Sequence, residues 1–544
     1  MVDVAIQIGI AIISAIATSV VTKILTPSRK GEQQEYDVGQ ELDRQLDNNY
    51  PRQVAVGYAM IGGSGAFGDS YSEKNEKGVR VTILSDYEIT AFLGLWLDGE
   101  KVTLGGSAFA NKYPITSHFT GKNGETRAWI TVHKGTETQA ADPTLLAAFP
   151  NKFGVNDRFA GCAYAVLEAE NTADDENDVP WRGGFPQMRL LVKGAPIYDP
   201  REVSHDIDDP DTWEWTQNEE LIWAQHKIGF KRAGEVVVGA SYPPDLLDWD
   251  KIELNADVCD ALALEDVGDL TSPRFGGLLT SGKEKSDEVL IRDCYNADLV
   301  ESGGVLYTIP AGPKIVSQNV DFQAVGGYVA RFTLDGEATD KYNDTLTKYS
   351  EPLNNYVLTS APSYHPSTYL TEDKGNHRPL EQSLHFCLNR RRAMRIQKRD
   401  LEATRDGMGA TFNMPYRYWY TITAGDVFTV TNTGWPELNG KIFECIKKQR
   451  AVSEGEGVRV IMQVIVYNPA IEDFDPLIDD TTALPVLRPP RAWPFYEPVP
   501  FAGSGQVDAV NATVDAIVIG VSEIDQTLNN PTTGLVVRVQ TLET

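Results

Sequence analysis

Residues 188–230 constrain the fold more than any other stretch, because the chain changes character across them. Residues 188–192 (MRLLV) are mostly apolar and end on a β-branched residue, the pattern of a strand. Gly194 and Pro196 punctuate that run. Asp199 and Pro200 then signal a turn, since proline fixes φ while the aspartate side chain can bond nearby backbone. An acidic loop follows, then Trp213 and Trp215, then a helix from Asn218 to Lys227. Asn218 is a favourable N-cap, and Glu219 and Glu220 fall in the first turn, where the helix dipole favours negative charge. Before this junction the pattern is one of strands and hairpins; after it, helices alternate with strands. The predicted fold class is α+β, β-rich and multidomain, with several small β-barrel or sandwich-like domains, interspersed helices and an apolar N-terminal helix.

A chain of 544 residues has room for roughly three to four domains. The expected organisation is an apolar helix at 1–27, a polar linker at 28–49 and β-rich modules at 50–201. An α+β module follows at 202–320, then another at 321–484 with a late basic helix. A proline-rich linker at 485–500 leads to a C-terminal β segment at 501–544. The net charge of −28, from 49 basic and 77 acidic residues, has the wrong sign for a duplex nucleic-acid binder. It suits a surface past which nucleic acid slides without sticking. Five dispersed cysteines with no C-x-x-C pair suggest neither zinc nor a disulfide framework, and fit folding in a reducing cytosol.

Residues 4–25 are long and apolar enough to span a bilayer, which takes roughly 20 residues. Asp3 and the lack of preceding Lys or Arg speak against a signal peptide. Ile6, Ile10, Ile13, Ala17, Val20 and Ile24 recur at alternating steps of four and three, a heptad seam. Isoleucine at both kinds of seam position favours trimers or tetramers. The leading expectation is a self-associating helix enclosed by protein; a membrane anchor and a buried core helix are the alternatives.

Strands are predicted at 53–61, 79–84, 128–134 and 159–168, and at 88–97 and 101–104 around the turn residues Asp98 and Gly99. A short helix is predicted at 144–148. Beyond the junction, helices are predicted at 252–264, 286–297 and 380–404. Strands are predicted at 305–309, 321–334, 355–359, 411–423, 427–431, 442–448 and 457–467, with a polar stretch at 335–349 and a long loop at 360–376. The helix at 380–404 carries Arg390, Arg391, Arg392, Arg395, Lys398 and Arg399. Such a cluster ordinarily means a solvated or ion-paired face, with contact to nucleic acid or an acidic partner as the alternative.

No constellation for catalysis assembles. Residues 63–68 match G-x-G-x-x-G but lead into a polar run and a strand instead of opening a helix, so they read as a plain glycine-rich loop. The seven histidines form no H-E-x-x-H, and neither a G-x-S-x-G elbow nor a Walker loop occurs. Asp206, Asp208, Asp209 and Asp211 could chelate calcium, yet lack the closing glutamate of an EF-hand. No catalytic residue, metal or cofactor is expected.

Gly194, Tyr198, Asp199, Pro200 and Arg201, followed by Trp213 to Asn218 and a helix, resemble the central region of the J-type host-specificity (tip attachment) proteins. These are tail-tip or baseplate hub proteins of long-tailed phages and related particles. In that family a Gly-x-x-x-Tyr-Asp-Pro-Arg signature precedes an Asn-Pro-Ala helix; here Glu219 and Glu220 follow Asn218 instead. The segments 51–54, 135–139, 256–260, 275–277, 302–307, 380–404 and 425–430 are similar to family segments and fall in the same order. The resemblance spans roughly 50–470. It implies a structural, non-enzymatic virion protein, a hub that is usually a homotrimer and closes the distal end of the tail tube. Its implied partners are the distal tail protein and the tape-measure protein, and its implied roles are host attachment and genome ejection. DNA would pass through without being specifically bound. The implied location is the virion tail tip, after synthesis in the host bacterial cytoplasm. Long family members continue into receptor-binding regions, whereas this sequence stops at Thr544. Receptor contact is therefore expected from a separate tail fibre or receptor-binding protein, with host envelope contact left open. The N-terminal helix is not carried over from the family. Two readings from other classes stand beside this one: a carbohydrate-degrading enzyme of a virion or envelope, and an envelope protein anchored through residues 4–25.

Overall fold

The structure is a computed structural model and describes residues 50–72, 76–106, 111–121, 124–170, 185–333, 341–405, 408–453 and 457–475. The predicted N-terminal helix with its seam (Ile6, Ile10, Ile13, Ala17, Val20, Ile24), the polar linker, the proline-rich linker and the C-terminal β segment lie outside these residues.

The chain opens with β1 (Gln53–Ile61), β2 (Ser64–Tyr71), β3 (Lys77–Ser85), β4 (Ala91–Leu97), β5 (Glu100–Lys101), β6 (Lys112–Pro114) and β7 (Ala128–His133). After α1 (Pro143–Ala148) come β8 (Ala163–Glu170), β9 (Met188–Lys193), β10 (Pro196–Ile197) and β11 (Glu214–Trp215). Next are α2 (Glu219–Ile228), β12 (Phe230–Arg232), β13 (Glu235–Val238), α3 (Trp249–Val267), β14 (Gly276–Thr280) and α4 (Glu284–Asp293). The hairpin β15 (Asp298–Ser302) and β16 (Val305–Ile309) leads to β17 (Val316–Asp321), α5 (Phe322–Val325) and β18 (Tyr328–Thr333). Then follow β19 (Asp344–Glu351), β20 (Val357–Ser360), α6 (Ser367–Glu372), β21 (Pro379–Leu384) and α7 (Arg390–Arg405). The described part closes with β22 (Gly409–Pro415), α8 (Tyr418–Thr421), β23 (Val427–Thr431), β24 (Ile442–Ser453) and β25 (Gly457–Val466).

These elements give the α+β, β-rich architecture expected. Two five-stranded sheets, ordered β14-β1-β9-β4-β5 and β2-β3-β8-β7-β6, enclose a shared apolar core. That core includes Ala59, Ile61, Leu95, Leu97, Ile130, Ala165, Leu167, Leu190 and Val192. The hairpin at Asp98 and Gly99 forms as predicted, with φ of 52° and 89° at the two turn residues. A six-stranded sheet, β17-β23-β24-β25-β22-β18, curls around a second core of Phe322, Phe412, Phe428 and Phe443, which meet edge-on. Its two edge strands, β17 and β18, are joined by the single helical turn α5. A three-stranded sheet, β20-β19-β21, carries α7.

Local expectations are corrected at several places: the predicted strand 411–423 ends at Pro415 and is followed by the helical turn α8, and the predicted loop 360–376 contains α6. The glycine-rich segment and the polar run behind it form an edge strand, β2, paired to β3. At an exposed edge the backbone ladder suffices, so the apolar alternation that marks a strand is missing. The polar stretch at 335–349 contains β19, the middle strand of its sheet, where Thr345, Thr347 and Tyr349 are buried while Leu346 faces out. The first part of the predicted helix 380–404 is a strand: β21 pairs in parallel with β19, and the helix starts at Arg390. Leu-Glu-Gln-Ser-Leu has little strand propensity, and the tertiary ladder overrides it. The segment 321–334 is split by α5, which Asp321 caps through its side chain.

Candidate functional site

The residues 194–201 sit where three glycines let three backbones meet. β1 is buried throughout and changes partner halfway: Gln53 to Gly57 pair with β14, and Tyr58 to Ile61 pair with β9. Gly57 makes the change with φ +56°, and a Cβ there would lie 2.2 Å from the Phe275 carbonyl oxygen. A Cβ on Gly276 would lie 2.2 Å from the Tyr58 nitrogen, and one on Gly194 2.4 Å from the Ala55 oxygen. Such distances exclude any side chain without backbone movement. Gly194 N donates to Gly57 O at 2.8 Å, and Ala195 N to Ala55 O at 2.7 Å, so the chain leaves β9 bonded to the crossing point.

Past Pro196 the chain turns. The Tyr198 ring meets Trp249 edge-on at 5.3 Å, with Trp213 at 6.2 Å. Asp199 accepts from the Arg201 backbone N at 3.0 Å and from Arg201 Nη2 at 2.8 Å, which pins the turn around Pro200. Arg201 also reaches across to α3, where its Nη1 donates to Asp257 at 2.8 Å and Asp260 at 3.0 Å. The bonds to Asp199, then those to Asp257 and Asp260, raise the guanidinium pKa against its partial burial, so Arg201 is a permanent cation here.

From Asp260 a chain of charges runs inward. Arg274 Nη2 donates to Asp260 at 2.5 Å, and its Nε lies 3.9 Å from Glu219. Glu219, 1% exposed, also faces Arg392 Nη2 at 3.3 Å. Arg392, 3% exposed, reaches Asp266 at 3.4 Å. Asp266 accepts from Arg395 Nε at 2.8 Å, and Arg395 Nη2 reaches Glu265 at 2.9 Å. Burial pushes the Asp260 carboxyl up, but the Arg274 and Arg201 guanidiniums more than offset it and hold the pKa below its ordinary value. Alternating signs make this burial tolerable, since a lone buried charge would cost several kcal/mol.

Helix α2 is the hub of the network. Asn218 caps it by accepting from Glu220 N and Leu221 N, as the sequence predicted, and its Nδ2 donates to Ala256 O at 2.9 Å on α3. Every residue of α2 is buried. Its charged side chains therefore need partners. Lys227 pairs with Glu288 at 2.6 Å. Glu220 accepts from Tyr295 at 3.0 Å and from the Thr308 hydroxyl, and burial raises its pKa to about 7. His226 is fully buried with neither ring nitrogen bonded among the described residues, and burial lowers its pKa to about 4.

The structure thus brings Gly194 and Arg201 to one junction, with Tyr198, Asp199 and Pro200 forming the turn between them. The basic helix, α7, takes its ion-paired reading: Arg392, Arg395, Arg399 and Arg405 all face carboxylates. Among Asp206, Asp208, Asp209 and Asp211, Asp206 and Asp209 accept from backbone N–H groups two residues on. Among the described residues no three or more His, Cys, Asp or Glu side chains converge as a metal site. Residues 63–68 open no helix, so nothing there resembles a dinucleotide loop. The sequence did not disclose Gly57, Asp260, Asp266 or Arg274 as parts of the junction. Asp266 bonds Arg392 across 126 residues, a separation that local pattern cannot bridge.

Residues 290–442 match a family described as "Putative phage tail protein". No curated protein matches the chain. Among solved structures, a chain of the virion of a native gene transfer agent particle is 16% identical, with a TM-score of 0.51. That likeness covers 87% of this chain and 97% of that chain, so the fold is shared nearly end to end. The 43 kDa tail protein of prophage MuSo2 from Shewanella oneidensis is 9% identical, with a TM-score of 0.25 over 78% of this chain and 100% of that one. The tail protein from Neisseria meningitidis MC58 is 9% identical, with a TM-score of 0.26 over 78% and 94%. These last two superpose too poorly to carry an argument.

Proposed function

We propose that this chain is a structural protein of a phage-type tail and, within it, the hub that closes the distal end of the tail tube. The observation that carries the reading is the fold shared along nearly all of both chains with a virion component. The match of 290–442 to a tail-protein family supports it independently. The junction fits the same role. Its glycines exclude side chains at the strand crossing, and its side chains are spent on holding α2, α3 and α7 together. In this reading Gly194, Tyr198, Asp199, Pro200 and Arg201 are architectural.

The hub is a homotrimer whose threefold contact includes the seam Ile6, Ile10, Ile13, Ala17, Val20 and Ile24. It contacts the distal tail protein, the tape-measure protein and a fibre or receptor-binding protein, and takes part in host attachment and genome ejection. The net charge of −28 lets DNA pass without being held. Imaging particles that carry a gold-labelled tag on this chain tests the location. Label at the tail tip is expected, and label on the tube shaft or head would overturn the reading. Light scattering of the full chain should give a trimer mass, reduced to monomer by Ile10→Asp with Ile13→Asp, because charge at a seam is costly.

A further inference from the structure

Helix α3 is apolar on two faces where packing against the junction uses only one. Its inner face, with Ile252, Ala256, Cys259 and Ala263, is buried and lies against α2. At about 100° per residue, Leu254, Val258, Ala261 and Leu264 fall on the outer side. Leu254 is 61% and Leu264 48% exposed, with Ala261 exposed between them and Val258 half-buried. A Cβ on Gly312 would lie 3.1 Å from Val258 Cγ1, so the loop after β16 walls one side of this stripe. Three residues further on, Ile315 is 91% exposed. The charges that flank the stripe are already engaged: Asp257 with Arg201 at 2.8 Å and Glu265 with Arg395 at 2.9 Å. Asp250 and Glu253 add negative charge at the N-terminal end of α3. An exposed row of aliphatic side chains with an alanine at its centre is a groove into which the ridge of a second helix fits.

We infer that residues 4–25 of this same chain dock on the outer face of α3, as a helix antiparallel to it. Those residues are the longest apolar run in the sequence. Besides the seam, Ile8, Ile12 and Ile16 recur at steps of four and form a second ridge, about a third of a turn away from it. Such an i+4 ridge seats in the groove of a facing helix. At 1.5 Å per residue the ridge spans about 12 Å and Leu254 to Leu264 about 15 Å, so the two match in length. Charge sets the direction. No Asp or Glu lies between Asp3 and Glu32, while Lys23, Arg29 and Lys30 follow the ridge. An antiparallel helix therefore brings its basic end to Asp250 and Glu253. Residues 26–49, which connect this segment to β1, reach roughly 80 Å when extended and set no obstacle. The seam Ile6, Ile10, Ile13, Ala17, Val20 and Ile24 is left uncovered, so this docking and a threefold contact are compatible and neither depends on the other.

The test uses the full chain with the half-buried Cys162 replaced, Cys162→Ser, and two new thiols, Ile12→Cys and Ala261→Cys, under mild oxidation. Ala261 is exposed, so the change there leaves the core intact. A disulfide within one chain is expected, read as a shifted monomer band on a non-reducing gel and as a linked 12–261 peptide by mass spectrometry. Two control pairs should link far less: Ile10→Cys with Ala261→Cys, whose first thiol lies on the seam, and Ile12→Cys with Val155→Cys, whose second lies at an exposed valine elsewhere. Leu254→Asp with Leu264→Asp should lower the 12–261 yield roughly tenfold or more, because two leucines that docking buries become charged. The inference is overturned by no 12–261 disulfide, by equal yields from the control pairs, or by a yield that the leucine changes leave unaltered. A disulfide that joins two chains would also overturn it, since a second copy would then be the occupant.

Discussion

Two regions of this protein are built on opposite principles. The six-stranded sheet has an apolar core in which Phe322, Phe412, Phe428 and Phe443 interlock, and the ladder supplies the polar bonds. The junction around α2 buries Glu219, Glu220, His226, Lys227, Arg274 and Arg392. Apolar packing is forgiving, because a residue of similar volume can refill the space. A buried ion network is not, because deleting one member strands its partner. The junction therefore specifies one arrangement of its elements, whereas the sheet tolerates variation.

Substitutions can break or sharpen that contrast. The largest effect is expected from Gly57→Ala, which puts a Cβ against the Phe275 carbonyl at a positive φ. Loss of more than about 4 kcal/mol is expected, seen as loss of cooperative unfolding or of soluble protein. Full stability in this variant would mean that the crossing can relax.

Arg392→Met should cost roughly 3 kcal/mol by removing the guanidinium between Glu219 and Asp266, which leaves Glu219 only Arg274 at 3.9 Å and Asp266 only Arg395. Hydrogen exchange should accelerate in α2 and α7 and stay unchanged in β22 to β25. Adding Glu219→Gln and Asp266→Asn should recover much of the loss. Equal acceleration in the sheet would erase the distinction between the two regions.

The third test is pH. Burial raises Glu220 from 4.5 to about 7 in the folded state, so its contribution is fully present below pH 4.5 and is lost as pH rises toward 7. Asp287, raised by burial to about 7, has the same sign. His226, lowered from 6.5 to about 4, acts oppositely: its contribution is present above 6.5 and lost as pH falls toward 4. Relative to the parent chain, Glu220→Gln should gain stability as pH rises from 4.5 to 7, by up to roughly 3 kcal/mol. Denaturant titrations at several pH values measure this, and a constant difference between the two chains would contradict it.

The smallest effect belongs to the sheet. Phe412→Leu nearly conserves volume in an apolar surround and should cost only about 1 kcal/mol in the same titrations. A cost as large as that of Arg392→Met would reverse the comparison.

Much of this was legible in the sequence, element by element. Local capping and propensity announce α2, which begins after Asn218, and the hairpin at Asp98 and Gly99. β9 was readable from its apolar run. The misses share one cause. β2, β19 and β21 are strands because partners pair with them, and none shows apolar alternation, since even the buried face of β19 is made of Thr345, Thr347 and Tyr349. Basic residues on α7 were visible as a cluster, while their acidic partners on α2 and α3 were not.

By itself, the sequence determined the β-rich α+β class, the capped helix after the tryptophan-bearing loop, and an acidic chain carrying one dense basic helix. Periodicity, turn chemistry and charge are local or additive properties, so they survive without a fold. Tertiary structure alone decided that Gly57, Gly194 and Gly276 meet at one crossing, and that Arg201 and Arg392 belong to one ladder of charges. Those relations depend on distance and burial, which exist only once remote segments have come together.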